Sequence, residues 1–127
     1  KAFAMKICII GSRSIDKAEF VIPILDRFMK DHVVGTPVIL SGGAKGVDQI
    51  TKSYARANNI NLVEFLPYHL IDNRAPFSSK YFFLRNKQMI DNADKVLIIW
   101  DTRSKGTEYG IKYAQKIKIP VMVIKSP

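Results

Sequence analysis

The sequence predicts an α/β fold of three layers, in which helices cover both faces of a parallel sheet of about five strands. Two observations indicate this class. Short runs rich in β-branched residues alternate with longer amphipathic stretches, and several of these runs end at glycine-containing turns. Because parallel strands are joined by crossover connections, such alternation is typical of a sheet covered on both faces. The chain has 127 residues, 47% of them hydrophobic, which suits one domain over residues 1–127 with a full core.

Each predicted element rests on local patterning. The strands are runs of aliphatic, mostly β-branched residues at 5–10, 38–40, 62–65, 95–100 and 120–124. The helices are stretches with apolar residues at helical spacing at about 16–32, 46–58, 78–92 and 106–116. In the last helix, Gly110 and Ala114 share a face and indicate close packing on the sheet.

Three positions qualify this pattern. Pro23 falls inside the first predicted helix and predicts either a kink or a later helix start. Residues 67–77, which contain two prolines and the pair Asp72-Asn73, are predicted as a loop. The following helix begins near Ser78 or Ser79, and either serine is a good N-cap.

The composition indicates an anionic partner. The net charge of +9 favours a phosphate ligand or a nucleic acid over a neutral partner. No apolar run approaches the roughly 18 residues of a membrane span, so no membrane association is expected. Residues 1–4 do not have the pattern of a signal peptide; they are either native or a remnant of cloning, and Met5 would be a natural start.

Cysteine and histidine usage predicts neither a disulfide nor a metal site. Cys8 is the single cysteine and lies in an apolar run, which predicts a buried, unreactive thiol and fits a cytoplasmic location. His32 and His69 lack the spacing of metal ligands, and no cysteine–histidine cluster suggests zinc. No metal and no cofactor are therefore expected.

The loop after the first strand carries groups suited to phosphate. Gly11 permits a tight exit from the strand, Ser12 and Ser14 offer hydroxyls, and Arg13 offers a planar guanidinium. Ser14 fits the role of an ordinary helix cap equally well.

The loop after the second strand, Ser41-Gly42-Gly43-Ala44-Lys45-Gly46, is the strongest signal. Three glycines within five residues let backbone amides approach an anion at a helix N-terminus, although a tight turn without ligand is the alternative. Its spacing is neither that of a P-loop nor that of the dinucleotide fingerprint. Asp48, in the first helical turn, acts as a cap or, alternatively, bonds a ligand hydroxyl.

The third loop runs from Trp100 to Glu108 and includes Arg103-Ser104-Lys105-Gly106-Thr107. It again joins a strand to a helix through glycine, with hydroxyls and two cations. Thr107 would lie near the helix N-terminus, where it caps the helix or contacts phosphate. Glu108 complements the helix dipole or faces the pocket.

The helix before the fourth strand adds further candidates. Asn86 falls in the apolar stripe, where its amide needs a partner, so it ties down neighbouring loops or contacts ligand. Arg85 reaches the pocket mouth or is an ordinary surface arginine. For Tyr81, Phe82 and Phe83, core packing is expected, with base stacking as the alternative.

These loops are expected to meet, because ligands of parallel α/β sheets bind beyond the carboxyl ends of the strands. The cations in the loops are Arg13, Lys45, Arg103 and Lys105, and Arg74 and Arg85 are candidates to join them. Clustering of this kind favours an anion site over diffuse surface basicity.

Together these segments resemble the SLOG superfamily of Rossmann-like domains, which joins the Smf/DprA DNA-processing proteins to the Lonely Guy phosphoribohydrolases. Within it they are most similar to the small YspA/YpsA-related branch. The resemblance is carried by Ile10-Gly11-Ser12-Arg13, by residues 41–48, by Arg85-Asn86 and by residues 93–114. It implies a Rossmann-like αβα sandwich with strand order 3-2-1-4-5, nucleotide or nucleotide-derived ligands at these loops, and a homo-oligomer.

The Lonely Guy branch cleaves the N-glycosidic bond of nucleoside 5'-monophosphates with a Pro-Gly-Gly-x-Gly-Thr-x-x-Glu loop and an arginine on the preceding helix. By this resemblance Arg85 matches that arginine and Gly106-Thr107 matches the Gly-Thr pair. Arg103-Ser104 stand in place of the paired glycines, and Gly110 stands in place of the catalytic glutamate. Glu108 lies roughly 200° away around an α-helix, so it would serve only in a rebuilt loop.

Three functions follow as expectations. The leading one is binding of a nucleotide or nucleotide-derived signalling molecule, with phosphate on the amides of residues 42–46 and 106–107. The first alternative is a nucleoside 5'-monophosphate N-glycosidase, in which Arg85 orients phosphate and Glu108 or Asp48 stabilises the sugar cation. The second alternative is single-stranded nucleic-acid binding, ranked lower because the cationic loops suit a pocket better than a long groove.

The expected ligand-binding residues are Gly11, Ser12, Arg13, Ser41, Gly42, Gly43, Ala44, Lys45, Gly46, Asp48, Asn86, Ser104, Lys105, Gly106 and Thr107.

Overall fold

The computed structural model describes residues 3–127, in which strands and helices alternate as the sequence predicts. Its elements are β1 (Ala4–Gly11), α1 (Ala18–His32), β2 (Thr36–Ser41), α2 (Val47–Ala57), β3 (Asn61–Glu64), α3 (Tyr68–Ile71), α4 (Lys80–Asp91), β4 (Lys95–Trp100), α5 (Lys105–Lys116) and β5 (Val121–Lys125). Lys1 and Ala2, half of the segment expected to be native or a remnant of cloning, lie outside the described residues. No helix within 3–127 is both long and apolar enough to cross a membrane.

The five strands form one sheet in the order β3-β2-β1-β4-β5, and every pairing is parallel. This confirms the predicted fold class and the strand order that the resemblance implies. In the central strand, Cys8 is in register with Leu40 of β2 and with Val96 of β4. The chain therefore changes direction across the sheet at β1, and a crevice opens beyond the carboxyl ends of β2, β1 and β4.

The alternation of side chains in β1 divides the core between the two faces of the sheet. Ile7 and Ile9 belong to the cluster on the α1–α2 side, whereas Cys8 and Ile10 belong to the cluster on the α4–α5 side. Cys8 is fully buried, which confirms the predicted buried thiol, and this burial raises the pKa of the thiol far above its ordinary range. Ala114 is fully buried as well, which confirms close packing of α5 on the sheet.

The boundaries differ from the predicted ones in three informative places. Helix α1 begins at Ala18 and contains Pro23, so a later helix start is wrong. The short helix α3 lies inside the predicted loop at 67–77; one turn of helix is too short to show a periodic pattern. Ser79 does occupy the N-cap position of α4, but its side chain makes no capping hydrogen bond.

Candidate binding site

A cavity of about 450 Å³ lies beyond the carboxyl ends of β1 and β4, enclosed by α4, α5 and the loop before α2. This volume is in the range of small-molecule sites in proteins. Each of the three predicted loops contributes to its walls, and α4 closes one side. The lining residues are Ile10, Gly11, Arg13, Ser14, Ala44, Asp48, Ser79, Phe82, Phe83, Arg85, Asn86, Met89, Asp101, Ser104, Lys105, Gly106 and Thr107.

The structure brings most of the predicted site residues together. Those that line the cavity are Gly11, Arg13, Ala44, Asp48, Arg85, Asn86, Ser104, Lys105, Gly106 and Thr107. Those that lie outside its lining are Ser12, Ser41, Gly42, Gly43, Lys45, Gly46 and Glu108. Of the other cations considered, Arg103 and Arg74 also lie outside, and Arg74 forms an ion pair with Asp72 instead.

The first turn of α5 presents unbonded backbone amides to the cavity. The amides of Lys105, Gly106 and Thr107 have no acceptor among the described residues, and the first helical hydrogen bond runs from the amide of Glu108 to the carbonyl of Ser104. A helix of this length carries a partial positive charge at its N-terminus. This wall of the cavity is therefore suited to an anion.

Asp101 fixes the loop before α5. One oxygen, Oδ1, accepts hydrogen bonds from the amides of Arg103 and Ser104, each at 2.8 Å, and from the Ser104 hydroxyl at 2.7 Å. The other, Oδ2, accepts from the Ser14 hydroxyl at 2.6 Å, which joins this loop to the one after β1. Burial by itself would raise the Asp101 pKa, but these hydrogen bonds lower it well below its usual range.

Arg85 is buried rather than a surface arginine, with 8% of its area exposed. Its Nη1 donates to the carbonyl oxygens of Gly42 at 2.7 Å and Phe65 at 3.3 Å, and its Nε donates to Oδ1 of Asn86 at 3.0 Å. The Asn86 amide in turn donates to the carbonyl of Gly106 at 3.2 Å. Arg85 and Asn86 thus connect the loop after β2 to the start of α5. This agrees with the interpretation that Asn86 ties down neighbouring loops.

Asp48 is one of the lining residues and is buried, with 6% of its area exposed. Its Oδ2 accepts a hydrogen bond from the amide of Ala44 at 3.0 Å, so the residue does close the loop before α2. Its Oδ1 is buried and has no hydrogen-bond partner among the described residues. Burial raises the Asp48 pKa to about 6, although the Ala44 amide, the charge of Arg85 and the nearby Ser41 hydroxyl act in the opposite direction.

Contacts within the protein explain two glycines of the loop after β2. A Cβ at Gly42 would lie 2.6 Å from Cζ of Arg85, and a Cβ at Gly46, whose φ is +70°, would lie 2.5 Å from the carbonyl oxygen of Arg13. The amides of Gly43 and Ala44 already donate to the side chains of Ser41 and Asp48. Two of the amides expected to cradle phosphate at 42–46 are therefore engaged within the protein, whereas those of Lys45 and Gly46 have no acceptor among the described residues. A phosphate cradle at this loop stays a prediction.

Gly106 differs from those glycines. The nearest atom to a Cβ at this position would be Cε1 of Phe83 at 3.9 Å, which leaves open space. Packing does not require a glycine at position 106. The absence of a side chain there leaves the α5 wall of the cavity open.

The expectation that Phe82 and Phe83 pack in the core is wrong. Both rings are half-buried, line the cavity and belong to neither core cluster. The guanidinium carbons of Arg13 and Arg85 lie 5.7 Å and 5.8 Å from the centre of the Phe82 ring. Helical periodicity places Phe82 in the apolar stripe of α4 but does not show that this end of the stripe faces a cavity rather than the core.

Glu108 lies on the outer side of α5, where it forms ion pairs with Lys105 at 3.8 Å and Lys112 at 3.7 Å. It does not line the cavity, so the catalytic role expected as an alternative has no geometric basis at this residue. Gly110, which replaces the glutamate of the Lonely Guy loop, packs against the sheet: a Cβ there would lie 3.2 Å from Cδ1 of Ile10.

Asp101 and the apolar wall of the cavity were absent from the predicted site. The lining residues that it did not include are Ile10, Ser14, Ser79, Phe82, Phe83, Met89 and Asp101. An aspartate followed two and three residues later by turn-forming polar residues is the pattern of a side chain that bonds its own backbone, and this signal would have found Asp101.

Comparison with known proteins agrees with this architecture. Residues 5–69 match the sequence model of the family described as "YspA, cpYpsA-related SLOG family". No curated protein sequence matches the chain significantly. Within residues 3–127, no group of three histidine, cysteine or acidic side chains is placed to hold a metal ion.

Two solved structures share the fold. DNA processing protein A from Helicobacter pylori, in a structure described in terms of its single-stranded DNA binding mode, is 23% identical with a TM-score of 0.71. DNA processing protein A from Streptococcus pneumoniae is 18% identical with a TM-score of 0.74. Each alignment covers 97% of this chain, which spans 66% of the former and 51% of the latter.

Proposed function

Because the chain belongs to the YspA, cpYpsA-related SLOG family, we propose that it binds a nucleotide or a nucleotide-derived molecule in the cavity beyond β1 and β4. The observation that carries this proposal is the convergence of the free amides of α5, the buried Arg85 and the exposed Arg13 on one small-molecule-sized cavity. Such a set of donors and cations recognises phosphate.

The charges around the cavity support an anionic ligand. Arg13, Arg85 and Lys105 are cations in its lining, and Nη2 of Arg85 has no hydrogen-bond partner among the described residues. Two carboxylates, Asp48 and Asp101, also line it, but both oxygens of Asp101 are already engaged by donors of the protein. The groups left free on this side of the cavity are donors, and they require an acceptor-rich ligand.

The aromatic wall supports a ligand with a planar or apolar part. Phe82 and Phe83 contribute ring surface, and Ile10 and Met89 contribute aliphatic surface. Aromatic rings stack on nucleobases without strong preference for one base. A nucleotide combines a phosphate for the α5 wall with a base for this wall.

Isothermal titration calorimetry against AMP, ADP-ribose, NAD and cyclic nucleotides tests the proposal. We expect saturable binding of at least one of these molecules, and Arg13→Ala to weaken it about tenfold, because a charge-assisted hydrogen bond is lost. Arg103→Ala is the matched control, since Arg103 is exposed and outside the lining but carries the same charge. No binding at millimolar concentration by folded protein would contradict the proposal.

Chromatography of the same samples tests the N-glycosidase alternative, which released base would support.

Single-stranded nucleic acid is the second candidate ligand. It is favoured by the net charge of +9 and by the likeness to a DNA processing protein whose structure concerns single-stranded DNA binding. Oligonucleotide affinity would then fall by about one power of salt concentration per phosphate contact. A mononucleotide that binds as tightly as an oligonucleotide would exclude this candidate.

A further inference from the structure

Two cationic side chains of the cavity lie against one aromatic ring. The guanidinium carbons of Arg13 and Arg85 are 5.7 Å and 5.8 Å from the centre of the Phe82 ring, a distance at which a cation is attracted to an aromatic face. All three residues line the cavity. Burial lowers the pKa of Arg85, and the charge of Arg13 acts in the same direction, so the two guanidiniums repel each other. The ring therefore holds near each other two groups of like charge.

The two arginines differ in what else holds them. Arg85 is buried, and its guanidinium donates three hydrogen bonds to other residues of the protein. Arg13 is exposed, and within residues 3–127 its guanidinium forms neither a hydrogen bond nor an ion pair. Arg85 would keep its place without Phe82, whereas Arg13 depends on the ring.

The Phe82 ring is itself fixed from the side of α3. Its centre lies 5.4 Å from the centre of the His69 ring, with an angle of 73° between the two planes, and 6.0 Å from the centre of the Phe77 ring. The rings of His69 and Phe77 also contact each other, with 5.1 Å between their centres. Because these three rings pack against one another, α3 and the loop after it set the orientation of the ring that Arg13 contacts.

The neighbouring ring of Phe83 has different surroundings. It also lines the cavity, but no cation of the described residues lies over it. Its aromatic neighbour is Tyr109, with 5.1 Å between the ring centres. A nucleobase that contacts Phe83 therefore does not compete with an arginine, whereas one that contacts Phe82 does.

We infer, on the basis of the proposed function, that Phe82 is a positioning residue whose ring holds the Arg13 guanidinium at the cavity for binding of the ligand's phosphate. An arginine that is already held at the site loses less side-chain entropy on binding than one that moves freely in solvent. The negative charge of the phosphate also offsets the repulsion between Arg13 and Arg85. Phe82 thus contributes to affinity through Arg13 rather than through its own contact with the ligand.

A double-mutant cycle tests this role, with calorimetry against AMP and ADP-ribose. Phe82→Leu keeps an apolar side chain but removes the aromatic face, and we expect it to weaken binding about three- to fivefold, because a cation–π contact is lost. In Arg13→Ala, which has no guanidinium for the ring to hold, Phe82→Leu should weaken binding no further. Phe82→Tyr, which keeps the ring, should bind like the wild type.

Phe83→Leu is the matched control, since it makes the same change at a cavity-lining ring without a cation over it. Any effect of Phe83→Leu on affinity should be the same in the wild type and in Arg13→Ala. NMR of the ligand-free protein adds a measurement that does not depend on binding. The side-chain protons of Arg13 should show ring-current shifts that disappear in Phe82→Leu and remain in Phe83→Leu.

Three results would overturn the inference and leave the proposed function standing, provided that a nucleotide binds. They are wild-type affinity in Phe82→Leu, an equal loss from Phe82→Leu with and without Arg13, and the absence of ring-current shifts at Arg13. If folded wild-type protein binds neither AMP nor ADP-ribose, the proposed function fails for these two nucleotides and the inference fails with it.

Discussion

The guanidinium of Arg85 lies directly against the backbone of Gly42: Nη1 donates to the Gly42 carbonyl at 2.7 Å, and a Cβ at position 42 would lie 2.6 Å from Cζ. This contact joins residues 43 positions apart in the chain. It holds the arginine of α4 at the cavity wall, and it explains a glycine that does not itself line the cavity.

Gly42→Ala should therefore displace Arg85. We expect a loss of about 1–3 kcal/mol in the free energy of unfolding, because a methyl group would be forced into occupied space. Ligand affinity should fall as well, since the guanidinium would leave its hydrogen bonds. Urea unfolding and calorimetry measure the two effects, and unchanged stability would show that Arg85 moves aside without cost.

Gly106→Ala should have the opposite effect on stability. The space beside Gly106 is open, and alanine is favoured over glycine in a helix, so the free energy of unfolding should stay the same or rise by up to about 1 kcal/mol. The added methyl group enters the cavity beside the free amides of α5, so nucleotide affinity should fall. A stable variant with wild-type affinity would place the ligand away from this wall.

Asp48 predicts a pH dependence of stability. Burial, the largest cause, raises its pKa from 3.8 to about 6, so the folded protein retains a proton that the unfolded chain releases in this range. The stabilisation is complete below about pH 4 and is lost as pH rises through about 6. This difference between the folded and unfolded pKa of Asp48 corresponds to a change on the order of 3 kcal/mol in the free energy of unfolding.

Urea unfolding at pH 4.5 and pH 7.5 measures this effect. The wild type should lose more stability over this interval than Asp48→Asn, which has no titrating group at the position. Other titrating groups are common to both proteins and cancel in the difference. Asp31→Asn, the same change at an exposed position of α1 outside the cavity lining, should follow the wild type, and parallel behaviour of wild type and Asp48→Asn would refute the prediction.

Asp101 should make the protein less stable as pH falls, which is the opposite of the effect of Asp48. Its pKa lies well below the usual range, so its contribution is present above about pH 4 and is lost as pH falls further. Asp101→Ala should cost about 1–2 kcal/mol at pH 7, comparable to the loss of a helix cap, because two amides and two hydroxyls lose their acceptor. Urea unfolding against Asp31→Ala at pH 7 measures this difference, and equal stabilities would argue against the role of Asp101.

The sequence by itself determined the order and type of nearly all elements, and it identified the three loops that meet at the cavity. This succeeded because strand and helix formation depends on side chains close in the chain: the run at 95–100 has the same bounds as β4. The single-turn helix α3 was missed because it contains too few residues for a periodic pattern.

Tertiary structure alone decided what each loop residue does. The glycines after β2 look like a phosphate cradle, yet Gly42 and Gly46 give space to Arg85 and to the backbone at Arg13. Likewise, Phe82 lies in the cavity rather than in the core. These roles arise from contacts between residues distant in the chain, which local sequence patterns do not encode.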